Sequence, residues 1–301
     1  MSPVCQRLGP VSVYAGEKSG KYPDGNQVVV SGREMSVAFD MPLVANTLDG
    51  VFDGVNAVIL GHVHEDHLAG LDQLAHLPLW VHEGDLLAAQ SWSGMVRHFG
   101  YSAQVLAEWH ERMVRDFHYK PRPEAQGYGH GQVWELGGGV RVRAHHLPGH
   151  TSGHCALVVE PEGVAFIGDI DLTGFGPYYG DATSSLRQFR SSLRSVRELD
   201  ARAWVTSHHR GVLTDRSAFE TALQAFADKL DQRAEKLLGM LQGEPQSLEA
   251  LVAARLVYPV GYEAAFVNDV ERRMIEQHLE ELIDAGLVQC VSGAPDRFAR
   301  V

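Results

Sequence analysis

The sequence lacks several features that define whole classes of protein. It has three cysteines, Cys5, Cys155 and Cys290, an odd and widely spaced set that predicts no disulfide framework and favours a reducing, cytoplasmic location. It contains no apolar run of about 18 residues or more, so we expect no transmembrane helix and no membrane partner. Residues 1–20 lack a basic start followed by an apolar core, so no secretion signal is predicted.

Positive charge is also scarce, with 26 Lys and Arg against 38 Asp and Glu and a formal net charge of −12. Because nucleic-acid binding is largely electrostatic, this balance argues against a nucleic-acid partner, although it does not exclude a local basic groove. A small-molecule substrate is the expected partner. The sequence leaves the oligomeric state open between a monomer and a homodimer.

Short apolar and alternating runs predict strands, and longer runs with helical spacing predict helices. The strands are expected at 11–14, 27–30, 35–39, 55–60, 79–81, 133–136, 140–145, 155–160, 164–167 and 203–206. The helices are expected at 68–77, 83–99, 103–117, 184–199 and 216–241, with a capping box from Ser217 to Glu220. Residues 118–132 are rich in proline, glycine and aromatic residues and are predicted to be a loop. This order predicts an α/β sandwich of two mixed sheets with helices outside.

The pattern of predicted elements changes near Gly243. Helices at 247–256 and 268–285, then strands at 287–291 and 297–301 around Ser292–Pro295, resemble a small winged-helix-like unit. We therefore expect one large domain over 1–242 and a C-terminal unit over 243–301. The second helix is mostly acidic, which argues against contact with phosphate.

The strongest chemical signal is the segment Gly61–Gly70, which carries His62, His64, Asp66 and His67. Imidazole and carboxylate groups bind zinc and other first-row divalent metals. Alternate residues of an extended segment share a face, so His62 and His64 are predicted to bind one metal together. Asp66 and His67, after the chain bends, would point to a second. Chance would produce this pattern in roughly one such chain in four hundred, which makes it a strong motif.

Three further candidates follow later strands beside small residues, where loops gather to form sites. They are His150 in the segment 147–154, Asp169 after Gly168, and His208 after Ser207. His209 is the alternative to His208, because alternation allows only one of the two to face the site.

The sequence resembles the metallo-β-lactamase superfamily, in its glyoxalase-II-like branch, through four motifs in the same order. They are HxHxDH, PGHTxGH, GD at a strand end and SH at a later strand end. The resemblance covers residues 26–211 and implies an αββα sandwich with a dinuclear site. It implies one metal at His62, His64 and His150, a second at Asp66, His67 and His208, and Asp169 bridging them. Asp40 matches an aspartate that orients the site, although Pro42 stands where the family commonly has glycine.

The expected activity is that of a dinuclear metal-dependent hydrolase, in which a metal-bound hydroxide attacks a small carboxylic substrate such as a thioester, ester, lactone or β-lactam. Zinc is the favoured metal, with iron or manganese as alternatives. Asp66 and Asp40 are the candidate catalytic residues, and Tyr178 or Tyr179 is a candidate hydrogen-bond donor to the oxyanion. Three alternatives remain: a nuclease or phosphodiesterase of the same fold, an iron-dependent sulfur or oxygen redox enzyme, and a metal-dependent binding protein.

Overall fold

The computed structural model describes residues 4–291 and 296–301, and these form two large sheets packed face to face. The first has seven strands in the order β1 to β7: Cys5–Leu8, Val11–Tyr14, Gln27–Ser31, Ser36–Phe39, Ala57–Ile59, Leu79–His82 and Gln126–Tyr128. The second has six in the order β13 to β8, which are in chain order Val133–Gly137, Val140–His146, Cys155–Glu160, Val164–Phe166, Ala203–Val205 and Val212–Leu213. β4 to β7 run parallel, as do β11 and β12, so both sheets are mixed as predicted.

Alternation along the strands divides the buried residues between two layers. Val28 and Val30 of β3 join the cluster between the sheets, whereas Val29 joins the cluster under the helices. Leu157 and Val158 of β10 divide in the same way. Successive side chains of a strand point to opposite faces, so each sheet is covered on both sides. The predicted αββα sandwich is confirmed.

The α-helical segments, α1 to α8, are Glu17–Gly20, Leu86–Gln90, Trp92–Phe99, Ala103–Asp116, Leu186–Arg197, Arg216–Met240, Leu248–Ala254 and Val267–Asp284. Of these, α1 is a short turn with left-handed residues, α2 to α6 pack on the outer faces of the sheets, and α7 and α8 belong to the C-terminal segment. Among the described residues, no helix is both long and apolar enough to span a membrane.

Four local predictions were wrong. Residues 68–77 form only a short 3-10 turn at Leu71–Leu74, because the backbone N–H of Gly70 bonds the Met41 carbonyl. The predicted helix 83–99 breaks at Ser91, which caps α3. Asp215, rather than a Ser217–Glu220 box, caps α6. The predicted loop 118–132 contains β7, which extends the first sheet.

Residues after 243 form α7 and α8 with a small sheet of β14 (Gln246–Ser247), β15 (Val288–Val291) and β16 (Arg297–Arg300). The predicted turn Ser292–Pro295 lies outside the described residues. Leu237 and Leu241 near the end of α6 share the apolar cluster of this segment, and Val270 and Met274 of α8 join the main core. The division at 242 and 243 stays a prediction.

Candidate metal centre

The candidate residues meet at one edge of the sandwich, where strands from both sheets end. Asp40 follows β4, and the segment 61–67 follows β5. His150 lies in the loop between β9 and β10, Asp169 follows β11, and His208 follows β12. The topology therefore gathers side chains that are up to 168 residues apart in the sequence, from Asp40 to His208.

Four of these side chains converge around a small space. Nε2 of His150 lies 3.2 Å from Nε2 of His62 and 3.0 Å from Nδ1 of His64. Asp169 Oδ2 lies 3.4 Å from the same His150 nitrogen and 3.9 Å from Nε2 of His62. One donor atom from each residue lies within 4.8 Å of the others. Their lone pairs can therefore face a common centre.

A second group adjoins the first through Asp169. Nε2 of His208 lies 3.1 Å from Asp66 Oδ2, and Nε2 of His67 lies 3.7 Å from Asp66 Oδ1. Asp169 Oδ1 lies 3.2 Å from Nε2 of His67 and 3.5 Å from Nε2 of His208. The two oxygens of Asp169 thus face different groups of histidines.

The outward nitrogens of four histidines are held by the protein. Nε2 of His64 lies 2.6 Å from Asp181, and Nδ1 of His67 lies 2.7 Å from Asp40. Nδ1 of His150 donates to the Tyr178 carbonyl, and Nδ1 of His208 faces the carbonyls of Gly20 and Asp24. A bond at one ring nitrogen leaves the lone pair of the other directed inward, which is the arrangement that orients metal ligands.

The electrostatics also suit cations. Burial and the neighbouring His64 lower the pKa of His150 to about 4, which keeps the ring neutral. Burial disfavours charge on His208, but Asp169 and Asp66 outweigh it and raise its pKa to about 10. The same two carboxylates would attract a metal cation in place of that proton.

Three buried atoms of the candidate ligands have no hydrogen-bond partner among the described residues: Nδ1 of His62, Nε2 of His67 and Oδ1 of Asp169. The last two lie 3.2 Å apart, but not in hydrogen-bond geometry. Buried polar atoms are rarely left unpaired in folded proteins. Imidazole nitrogens and carboxylate oxygens that lack hydrogen-bond partners are suitable ligands for divalent metals such as zinc. The residues present therefore fit the metal centre that the motif predicts.

Asp40 is held in an unusual backbone conformation at φ 51°, which is uncommon for residues other than glycine. One carboxylate oxygen accepts the Gly61 N–H at 2.7 Å while the other contacts His67. Asp40 therefore links β4 to the start of the histidine segment, and this turn forms with proline at position 42.

Three supporting residues carry no sequence motif and were not predicted. Asp85 accepts hydrogen bonds from the backbone of Val63 and Gly153 and from the Thr151 hydroxyl. Asp181 contacts His64, and His98 lies close enough to both to form a group with them. Their spacing in the sequence gives no signal because each acts through a partner that is distant along the chain.

The structure also shows where the residues lie that the sequence left ambiguous. His208 lies in the second group, whereas His209 belongs to neither group. His154, predicted to be structural, accepts the backbone N–H of Asp169 at 3.2 Å. The Tyr179 hydroxyl is buried and lies 2.7 Å from Nε2 of His278, which is a contact with α8 rather than a contact with the candidate ligands.

The sequence matches the profile of the metallo-beta-lactamase superfamily over residues 53–208. An atrochrysone carboxyl ACP thioesterase of Pseudocercospora fijiensis is 24% identical over 294 residues, which cover 93% of this chain and 76% of that protein. The lactamase-like protein ptaB of Pestalotiopsis fici is 24% identical over 242 residues, which cover 80% and 64% of the two chains.

Solved structures agree on the fold. A metallo-beta-lactamase family protein from Thermus thermophilus superposes with a TM-score of 0.69 at 22% identity, covering 98% of this chain and 99% of that one. A beta-lactamase domain protein from Burkholderia ambifaria gives 0.70 at 18% identity, covering 99% and 94%. The chain therefore belongs to the metallo-beta-lactamase superfamily and is a hydrolase of that fold.

Proposed function

We propose that the chain is a dinuclear metal-dependent thioesterase. His62, His64 and His150 would hold one metal, Asp66, His67 and His208 the second, and Asp169 would bridge them. The observation that carries this proposal is the position of Asp169, whose two carboxylate oxygens face the two groups separately. Zinc is the proposed metal, since the donors are imidazole and carboxylate.

Each residue has a defined task in this proposal. Bound metals would supply an activated water and polarise the substrate carbonyl. Asp66, 3.1 Å from His208, would orient that water. Asp40 would keep His67 in position through its outer nitrogen.

The leaving group favours a thioester over an oxygen ester. Burial raises the pKa values of Asp66 and Asp169, but charge and hydrogen bonding from nearby histidines outweigh it and lower both, so neither is a protonated acid near neutral pH. A thiol has an ordinary pKa of about 8.5, so it can leave as a thiolate without a proton donor. The relative from Pseudocercospora fijiensis is named for thioesterase activity on a carrier-bound acyl group, which supports the same class here.

Metal content tests the centre itself. We expect elemental mass spectrometry to find two equivalents of zinc per chain, and about one or fewer in His64→Ala. The exposed His76 provides a matched control, because His76→Ala removes an imidazole outside the candidate centre. Absence of metal from the wild-type protein after reconstitution with zinc, or equal content in both variants, would refute the centre.

Substrate class needs a separate assay. An acyl thioester of N-acetylcysteamine should be hydrolysed faster than the matched oxygen ester, as followed by thiol release and product quantification. A lactone, a β-lactam and a phosphodiester should be tested in parallel. A clear preference for the phosphodiester would replace the proposed activity with that of a nuclease, while the metal centre would still stand.

A further inference from the structure

A short segment between the metal centre and the C-terminal helices has contacts on both sides. We call residues 175–181 the strap. It contains no helix or strand and lies between Asp169 and α5. Its residues divide into those that contact the histidines and those that contact α6 and α8.

On the side of the metal centre, the strap supports two candidate ligands. The Tyr178 carbonyl accepts a hydrogen bond of 3.0 Å from His150, and Asp181 Oδ2 lies 2.6 Å from His64. The other oxygen of Asp181 accepts hydrogen bonds from the hydroxyls of Tyr101 at 2.7 Å and Tyr178 at 3.1 Å. The fully buried Asp181 therefore has a fixed orientation.

On the opposite side, α8 and α6 hold the strap. Gln277 donates to the Tyr179 carbonyl at 2.9 Å, and the Tyr179 hydroxyl lies 2.7 Å from Nε2 of His278. The buried Arg233 of α6 donates to the carbonyls of Phe175 and Pro177. Four described groups of the strap thus bond to side chains from just these two helices.

Packing leaves the strap little room to shift. A methyl group added at Gly176 would overlap Lys229 of α6, and one added at Gly180 would overlap Val270 of α8. Interiors packed this closely transmit a displacement rather than absorb it. A change in how α8 sits against the strap would therefore move Tyr178 and Asp181.

Gln277 also reaches the far end of this region. Its side-chain oxygen accepts the Leu186 N–H at 2.6 Å, at the first residue of α5. Just before α5, the Ser184 hydroxyl donates to the His150 carbonyl at 2.6 Å. One side chain of α8 therefore holds both the strap and the segment that contacts the backbone of His150.

We propose that Gln277 and Tyr179 are positioning residues for the metal centre, through which α8 sets the orientation of His64 and His150. The C-terminal segment is then part of the metal centre's architecture. This inference rests on the proposed metal-binding role of the two histidines.

The test compares Gln277→Leu and Tyr179→Phe with Glu276→Leu, which changes an exposed neighbour on the same helix. Zinc affinity would be measured by competition with a chelating dye, and the cobalt-substituted proteins would be compared by visible absorption. Loss of a group that hydrogen-bonds a metal ligand directly typically weakens metal binding about 10- to 100-fold, and Gln277 and Tyr179 act one contact further out, so the lower end of that range applies. We expect the affinity for one of the two zinc equivalents to fall about tenfold in each test variant, and the cobalt spectrum to change. The Glu276→Leu control should keep the wild-type affinity and spectrum.

The outcomes separate this inference from the proposed function. Wild-type affinity and spectrum in Tyr179→Phe, with two metals bound, would overturn the inference and leave the dinuclear centre intact. A wild-type protein that binds no metal would overturn both. Tyr179→Phe removes one oxygen from a buried ring, so it decides the matter if Gln277→Leu fails to fold.

Discussion

Replacing Asp85 by asparagine tests whether one buried carboxylate joins the two histidine-bearing loops. Oδ2 accepts the Val63 N–H at 3.1 Å and the Thr151 hydroxyl at 2.6 Å, and Oδ1 accepts the Gly153 N–H at 2.7 Å. An asparagine has a single acceptor oxygen, so its NH₂ group must face at least one of these backbone donors. Asp85 is 1% exposed, so water cannot replace the lost acceptor.

The expected loss of unfolding free energy is about 2–4 kcal/mol, from one unpaired buried donor and the weakening of charge-assisted bonds. Urea unfolding of the metal-free protein would measure it. The control is Asp284→Asn, whose side chain is 66% exposed in an ion pair with Arg187, and it should cost less than about 1 kcal/mol. Zinc affinity should also fall in Asp85→Asn, because the loops it joins carry candidate ligands. A stability change within about 0.5 kcal/mol would refute this account of Asp85.

Three other changes have defined outcomes. His208→Ala should lose metal in elemental analysis while His209→Ala retains it, and the reverse result would exchange their roles. Burial lowers the pKa of His278 to about 3, so the folded protein keeps this ring neutral, whereas the unfolded chain protonates it near pH 6.5. The free energy of unfolding should therefore fall by about 2 kcal/mol between pH 7 and pH 5 through this group. His278→Gln should remove that part of the decline in urea unfolding, and an unchanged pH dependence would contradict it. Gly149→Ala should destabilise the fold by about 2 kcal/mol or more, because the added methyl group would overlap the Phe189 backbone and Gly149 itself has a φ of +134°. An unchanged thermal midpoint would show that the loop adapts.

The predictable parts of the fold were those with local signals. Strands such as β2 and β10 follow directly from alternating or continuous apolar residues bounded by turns. The strand β7 was missed because its three residues, Gln126–Tyr128, include a glycine and pair with β6 far away in the sequence. The helix expected at 68–77 failed because tertiary hydrogen bonds at Gly70 replaced helical ones.

The candidate site divides in the same way. His62, His64, Asp66 and His67 form a compact motif, and the later candidates stand at recognisable strand ends, so their convergence was predictable. Asp85 and Asp181 act through three-dimensional contacts with loops that the sequence does not pair. Composition cannot distinguish such a buried carboxylate from a surface one, which is why these supports became visible only in the folded chain.

The two sheets supply the candidate centre jointly, and this has a consequence for residues that touch no metal. The histidine segment after β5 belongs to the first sheet, while Asp169 and His208 follow strands of the second. Phe39 and Phe166 lie between the sheets with ring centroids 5.8 Å apart, and they help set the spacing there. A smaller side chain at either position would leave a cavity that the surrounding structure fills only in part, so the spacing of the two sheets, and of the donor atoms that each carries, would change. Apolar residues between the sheets would therefore affect the geometry of the proposed metal centre without touching it.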